Sequence, residues 1–272
     1  MLTTEQKRSR FRELHERDEV FVIPNPWDVG TSRILASKGF EALATTSAGM
    51  SFALGIPEGT GSLAQTLDHC RLLVSSADLP VSADLENGYG ASPADVSSCI
   101  LAAAETGLAG GSIEDHTRDK KRPIYDFNHS VERIAAAVEA GRSVSDNFIV
   151  TARAENYCWR RFDLDDTIKR LQAYEAVGAD VLYAPGLPDI EAITQVCASL
   201  KNPVNVVMGM AGTTFTVAQL QEAGVKRISV GSALARAAFG AFVRAAAEIQ
   251  DPGTFAFSDQ AIGFAEMDAF FE

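Results

Sequence analysis

Three acidic residues stand where a metal site could form. Asp84 and Glu86 lie in the run Asp84-Leu85-Glu86-Asn87-Gly88-Tyr89-Gly90, and Glu114 lies in Ile113-Glu114-Asp115. Brought into one cleft they repel, and one of them must hold a proton unless a cation sits among them. Magnesium, with manganese as the alternative, suits such a set, because it takes oxygen ligands, keeps several waters and needs only one or two carboxylates. The plainer alternative is that Asp84 and Glu114 cap helices or pair with Arg153, and Asp115 reads equally well as structural. Arg153 closes another apolar run, and its planar fork suits a carboxylate or a phosphonate. It could equally bridge to Glu114 or Glu155. The basic run Arg118-Asp119-Lys120-Lys121-Arg122 is either a solvated face or a lid over an anionic ligand. His15, His69, His116 and His129 make no metal pattern. Only His116 falls near the acidic set, and His69 reads as structural. No Ser-His-Asp set and no nucleophile elbow is apparent.

Those residues need elements to position them. Eight short apolar runs, Val20–Ile23, Ala42–Thr46, Pro80–Asp84, Gly111–Asp115, Phe148–Ala152, Asp180–Ala184, Val204–Met208 and Arg227–Val230, alternate with helix-like stretches. Several of those stretches stop at glycines suited to left-handed caps, among them Gly39, Gly107, Gly178 and Gly224. The runs are β-branched and apolar on both faces, as buried parallel strands are. Eight βα units predict a (β/α)8 TIM barrel. A doubly wound sheet would want a GxGxxG turn after its first strand, and Pro24-Asn25-Pro26-Trp27-Asp28 is not one. In a barrel the site lies at the C-terminal strand ends. That places Thr45 to Gly49, Asp84, Glu86, Glu114, His116, Arg153, Glu155, Asn156, Tyr183, Met208, Gly209, Gly231 and Ser232 around one opening. No lysine ends a strand, which speaks against a Schiff-base aldolase.

The 272 residues predict one barrel domain over 1–250 and an aromatic helical tail over 251–272. The tail carries Phe255, Phe257, Phe264, Phe270 and Phe271, with Ser258 placed to cap a short helix. So aromatic a segment docks on its own barrel or on a partner subunit. No apolar run is long enough to span a membrane, and the charged N-terminus is unlike a secretory leader. The net charge of -12 argues against nucleic acid and anionic membranes as partners, and leaves room for a small anionic substrate in a locally basic cleft. Cys70, Cys99, Cys158 and Cys197 show no CxxC pair. They fit a reducing cytoplasm and read as plain buried or half-buried residues.

From about Phe21 to Gly231 the chain resembles the isocitrate lyase and phosphoenolpyruvate mutase superfamily. The metal motif D-x-D-x-G-[FWY]-G appears with Glu86 as its second acid. The I-E-D motif is Ile113-Glu114-Asp115, the A-R motif is Ala152-Arg153, and the carboxylate cradle is Ser47-Ala48-Gly49, followed by the acidic Glu58. The resemblance implies a barrel whose last helix is swapped between partners in a dimer of dimers. It also implies magnesium and a 2-oxo or 2-hydroxy carboxylate whose C–C or P–C bond breaks through an enolate. Asp84 would be the direct ligand, and Glu86, Glu58 and Glu114 would hold its waters. Ser47, Ala48 and Gly49 would grip the C1 carboxylate, with Asn156 nearby. Arg153 would neutralise the bound oxyacid, and Lys120 and Arg122 would act from a closing loop over 116–124. The lyases' catalytic Cys is absent from Lys120-Lys121-Arg122-Pro123-Ile124, and Thr45 replaces their Tyr. The mutases' lysine could match Lys120, but their asparagine position is Arg122. The expectation is therefore a magnesium-dependent carbon–carbon lyase, decarboxylation included. A phosphonopyruvate-type mutase or hydrolase and a non-catalytic binding barrel are the alternatives.

Overall fold

The computed structural model describes residues 1–210 and 214–272. Its sheet has eight strands: β1 (Phe21–Ile23), β2 (Leu43–Ala44), β3 (Val81–Asp84), β4 (Gly110–Glu114), β5 (Ile149–Arg153), β6 (Val181–Tyr183), β7 (Val204–Val207) and β8 (Arg227–Ser229). All the pairings are parallel, in the order β1-β8-β7-β6-β5-β4-β3-β2. The Ala44 N–H donates to the Pro24 carbonyl at 3.0 Å, which brings the two outer strands together. The chain is a (β/α)8 barrel. Six of the eight predicted runs contain their strand, and those for β4 and β5 are offset from it by one residue.

The helices are α1 (Thr4–Glu16), α2 (Val29–Ser37), α3 (Ser47–Ala53), α4 (Leu63–Ser76), α5 (Pro93–Ala104), α6 (Phe127–Val144), α7 (Leu164–Ala176), α8 (Ile190–Ala198), α9 (Val217–Glu222), α10 (Ala233–Gln250) and α11 (Phe264–Asp268). Ser62, Ser92 and Thr216 close capping boxes at the starts of α4, α5 and α9. Gly39 and Gly178 take φ of +86° and +98° just past α2 and α7, the left-handed geometry that glycine adopts at least cost.

Two apolar clusters divide the molecule. The larger fills the space between the strands and the outer helices, with Leu73, Ile100, Ile113, Val150, Leu171 and Leu182 among its members. The smaller closes the N-terminal end of the barrel, where Phe11 and Leu14 of α1 pack on Phe21, Ile149 and Val181. Arg8 fastens α1 there by donating to the carbonyls of Leu108 and Ala104 at 3.1 and 3.0 Å. The other end of the barrel stays open.

The tail is less regular than expected. Ser258 does not cap a helix. It lies inside a 3-10 turn, Ala256–Gln260, where its hydroxyl donates to the Phe255 carbonyl at 2.8 Å. The short α11 begins at Gly263 without a side-chain cap. The ammonium of Lys38 on α2 sits 4.9 Å from the Phe270 ring centre. No helix among the described residues is long and apolar enough to cross a membrane.

Candidate active site

The open end of the barrel leads into a cavity of about 440 Å³ whose lining includes Ser47, Glu58, Asp84, Arg153, Tyr183 and Arg236. Parallel strands put these side chains together because every strand ends at the same rim, and β3, β4 and β5 are neighbours.

Asp84 is held on every side. Its N–H donates to the Thr45 hydroxyl at 2.9 Å, and its Oδ2 accepts from the Ser47 hydroxyl at 2.8 Å and the Ser47 N–H at 3.3 Å. Its Oδ1 accepts from Arg153 at 3.3 Å and from the Glu86 N–H at 3.2 Å. The predicted cradle is thus the first turn of α3, with Thr46 as N-cap accepting from Gly49. Small residues make the segment look like a loop in sequence.

Arg153 realises both of its ion-pair alternatives at once. It reaches Glu155 at 2.8 Å, Glu114 at 3.2 Å and Asp84 at 3.3 Å, and its guanidinium lies 5.0 Å from the Tyr183 ring centre. Burial works against its charge, but Glu155, Glu114, Tyr183 and Asp84 outweigh that and raise its pKa. Burial also pushes Glu114 up, yet Arg153 and His116 hold it below the usual carboxylate range. In Glu155 burial wins over Arg153, and the carboxyl is pushed up to about 7.

Glu58 and Glu86 carry the crowding expected of like charges. Burial, then Asp84, raise both, with Glu114 adding a further push, and Glu86 reaches about 6. Glu86 is not among the residues that line the cavity. Its carboxylate accepts from Arg118 at 2.6 Å and from the Tyr89 hydroxyl at 3.2 Å. Glu86, Tyr89 and Arg118 have φ of 48°, 59° and 65°, a conformation non-glycine residues adopt only when their surroundings hold them in it. The Arg118 guanidinium lies 5.1 Å from the Tyr89 ring centre, so the three strained residues touch one another.

The basic loop is a closed hairpin-like turn. His116 bridges Ile124, and Thr117 N–H donates to the Pro123 carbonyl at 2.8 Å. Lys120 and Arg122 are exposed at its tip, and Arg118 is the cation that the loop turns inward. His116 stacks on Trp159 at 4.4 Å, its Nδ1 lies 3.5 Å from Glu114 and its buried Nε2 has no partner among the described residues. Asn156 is buried outside the cavity lining, and its amide donates to Asp166 at 2.8 Å. Asp115 is 1% exposed. It accepts from Tyr174, Arg170 and the Glu155 N–H at 2.8, 3.1 and 2.8 Å, a structural knot behind the site. His69 is structural, with Nε2 3.0 Å from the Trp27 carbonyl. Cys158 is exposed, not the buried or half-buried residue expected. It borders the cavity, and desolvation, then Glu155, push its thiol up.

Arg236 was not singled out by sequence. It stands in the first turn of α10, borders the cavity and donates to the Gly209 carbonyl at 2.8 Å. Gly209 (φ +86°) is required there, since a Cβ would lie 2.4 Å from that of Ala233.

Among the described residues no three His, Cys, Asp or Glu side chains converge as a finished metal shell. The donors at the rim are nonetheless hard carboxylate oxygens, whose crowding adds to burial in raising Glu58 and Glu86, and a hard divalent cation needs only one or two of them directly. The residues fit such an ion.

The family model for phosphoenolpyruvate phosphomutase matches residues 11–250. The chain belongs to that family. A solved protein of Burkholderia cenocepacia J2315, provisionally described as a lyase/mutase, is 52% identical to it, with a TM-score of 0.96 over 98% of this chain and 96% of that one. The 2-methylisocitrate lyase of Halalkalibacterium halodurans is 26% identical over 250 residues, 90% of this chain and 82% of that protein. The structure of 2,3-dimethylmalate lyase, described as a member of the phosphoenolpyruvate mutase/isocitrate lyase superfamily, is 26% identical, with a TM-score of 0.86 over 100% of this chain and 95% of that one. The chain is therefore an enzyme of this superfamily.

Proposed function

We propose that the protein is a magnesium-dependent lyase that cleaves a C–C bond, decarboxylation included, in a small 2-oxo or 2-hydroxy carboxylate. The observation that carries this reading is Arg153 gathering Asp84, Glu114 and Glu155 at the rim of a cavity that Ser47 and Glu58 also border. The lyase activities named for the two relatives above support it.

Asp84 is the residue to hold the ion directly, with Glu58, Glu86 and Glu114 on its waters. A bound magnesium ion supplies Lewis-acid stabilisation of enolate charge as the bond breaks. Ser47 and the first N–H groups of α3 orient the C1 carboxylate. Arg153 neutralises the bound oxyacid and helps to hold Glu114 below the usual carboxylate range. Arg118 draws loop 116–124 towards the rim, where it excludes water from the C3 side, with Lys120 and Arg122 at the tip. The absence of the lyases' Cys and Tyr favours chemistry that needs no strong base. The barrel over 1–250 is the catalytic unit, and the tail over 251–272 serves assembly. The assembly is a homo-oligomer in which α10 packs on a partner, and the setting is the cytoplasm.

The second reading is P–C cleavage of a phosphonate such as phosphonopyruvate, favoured by the matching family model and the inward-turned Arg118. The test is D84N together with chelation. The lyase reading expects both to cut kcat/KM on the order of 10²–10⁴-fold, with magnesium restoring only the wild type. Full turnover by D84N in chelator overturns it.

A further inference from the structure

Below the rim the barrel is not filled as barrels usually are, with layers of large branched side chains. The inward residues there include Ser82, Ser112, Asn205 and Ser229, and all four line the same cavity as Asp84 and Arg153. Arg227 on β8 reaches into this layer and lines it too. Its Nε donates to Asn205 Oδ1 at 2.8 Å and its Nη2 to Thr151 Oγ1 at 3.0 Å, while Nη1 lies 3.3 Å from His15 Nε2.

None of those partners is an anion. His15 Nδ1 lies 2.7 Å from the Phe11 carbonyl, so it donates there and Nε2 is left to accept from Arg227. Burial and Arg227 hold the His15 pKa well down, so the ring is neutral. The buried arginines Arg8, Arg153 and Arg170 each face a carboxylate. Arg133, buried without an ion pair, gives its donors to the carbonyls of Gly90, Ala91 and Asn87 and does not border the cavity. Arg227 thus combines a buried charge, a neutral surround and an opening to the cavity. A guanidinium has five N–H donors, and three are used here.

We infer that the cavity floor is a second anion subsite, in which Arg227, with Asn205 and Ser229, receives the distal carboxylate of a dicarboxylate substrate. An uncompensated buried charge is costly, and an incoming carboxylate with charge-assisted hydrogen bonds offsets that cost. The spacing is right for a short diacid. Thr151, which holds Arg227, lies two residues before Arg153 on the same face of β5, about 6–7 Å away. One carboxylate at the Ser47–Arg153 rim and another at Arg227 therefore fit within the lumen. This narrows the substrate class of the proposed lyase and rests on that reading.

The test is calorimetry on the full chain with magnesium, using succinate, butyrate as the monoacid of equal length, and pyruvate. Wild type is expected to prefer succinate to butyrate by about tenfold or more. R227Q is expected to lose that preference, and R227K to keep part of it. S229D, which supplies Arg227 with a built-in carboxylate, serves if R227Q does not fold and should abolish the preference as well. Absence of the preference in wild type, or its survival in R227Q or S229D, overturns the proposal. Pyruvate reports on the rim separately. If its binding needs magnesium while succinate shows no preference, the floor subsite alone fails. If its binding ignores magnesium, the metal-lyase reading fails, and the succinate comparison still decides the floor.

Discussion

Glu86 shows how one carboxyl links burial to pH. Burial and Asp84 lift its pKa to about 6, so the folded chain favours the protonated form. That preference costs nothing below the unfolded value of about 4.3, and the cost grows as pH rises through 6. In chelator, E86Q should therefore exceed wild type by about 1–2 kcal/mol at pH 8, with the gap closing towards pH 4. Urea unfolding at the two pH values checks this, and a gap that widens on acidification contradicts it. The loop offers a second comparison. Arg118 is paired with Glu86, whereas no ion pair of Lys120 or Arg122 is seen among the described residues. R118A should lower kcat/KM by about tenfold or more, and K120A and R122A should each cost less. Steady-state kinetics would contradict this if Lys120 or Arg122 outranked Arg118. Sequence motifs identified Asp84, Ser47, Glu58, Glu114 and Arg153, all of which meet around the rim. They did not show which cation of a basic run turns inward, because that follows from the left-handed backbone at Arg118. Nor did they reveal Arg227 and Asn205. Those sit inside apolar runs, and only barrel closure shows which face is the lumen.

The elements were legible wherever periodicity and caps agreed. All eight strands and seven of the barrel helices follow from apolar runs that alternate with helix-like stretches, several of them stopped by glycines. Helices α1 and α3 did not, and no stretch was read for α10. Helix α1 is so polar that its thirteen residues gave only a charge argument, although Phe11 and Leu14 plug the barrel. Helix α3 is built of small residues whose helicity comes from the Thr46 cap and from contact with Asp84. Helix α10 is the element whose packing is incomplete. It is eighteen residues long and buries only Ala235, and it leaves Phe242 70% and Val243 62% exposed. Phe264 in the tail is 92% exposed. Large exposed apolar side chains of this kind suit the proposed packing of α10 on a partner. The double substitution F242D/V243D should convert an oligomer to monomer in light scattering, with circular dichroism unchanged. An unaltered mass would show that α10 does not carry the assembly.

At the scale of the whole molecule, a chain of net charge -12 places three arginines, Arg153, Arg227 and Arg236, on one cavity. Acidic side chains dominate the exterior, while the opening carries both the carboxylates for a cation and the guanidinium groups for an anion. That pairing suits an oxyacid bound together with a metal. The barrel supplies it by ending eight strands at one rim. The measurement that tests the central claim most directly is release of pyruvate from oxaloacetate, 2-methylmalate, 2,3-dimethylmalate, 2-methylisocitrate and phosphonopyruvate. Each is run with magnesium and with chelator, and phosphate is followed in parallel. The account predicts pyruvate from at least one of the carbon acids, only with magnesium and without phosphate. Pyruvate matched by stoichiometric phosphate from phosphonopyruvate alone, or turnover of a carbon acid unaffected by chelator, would contradict it.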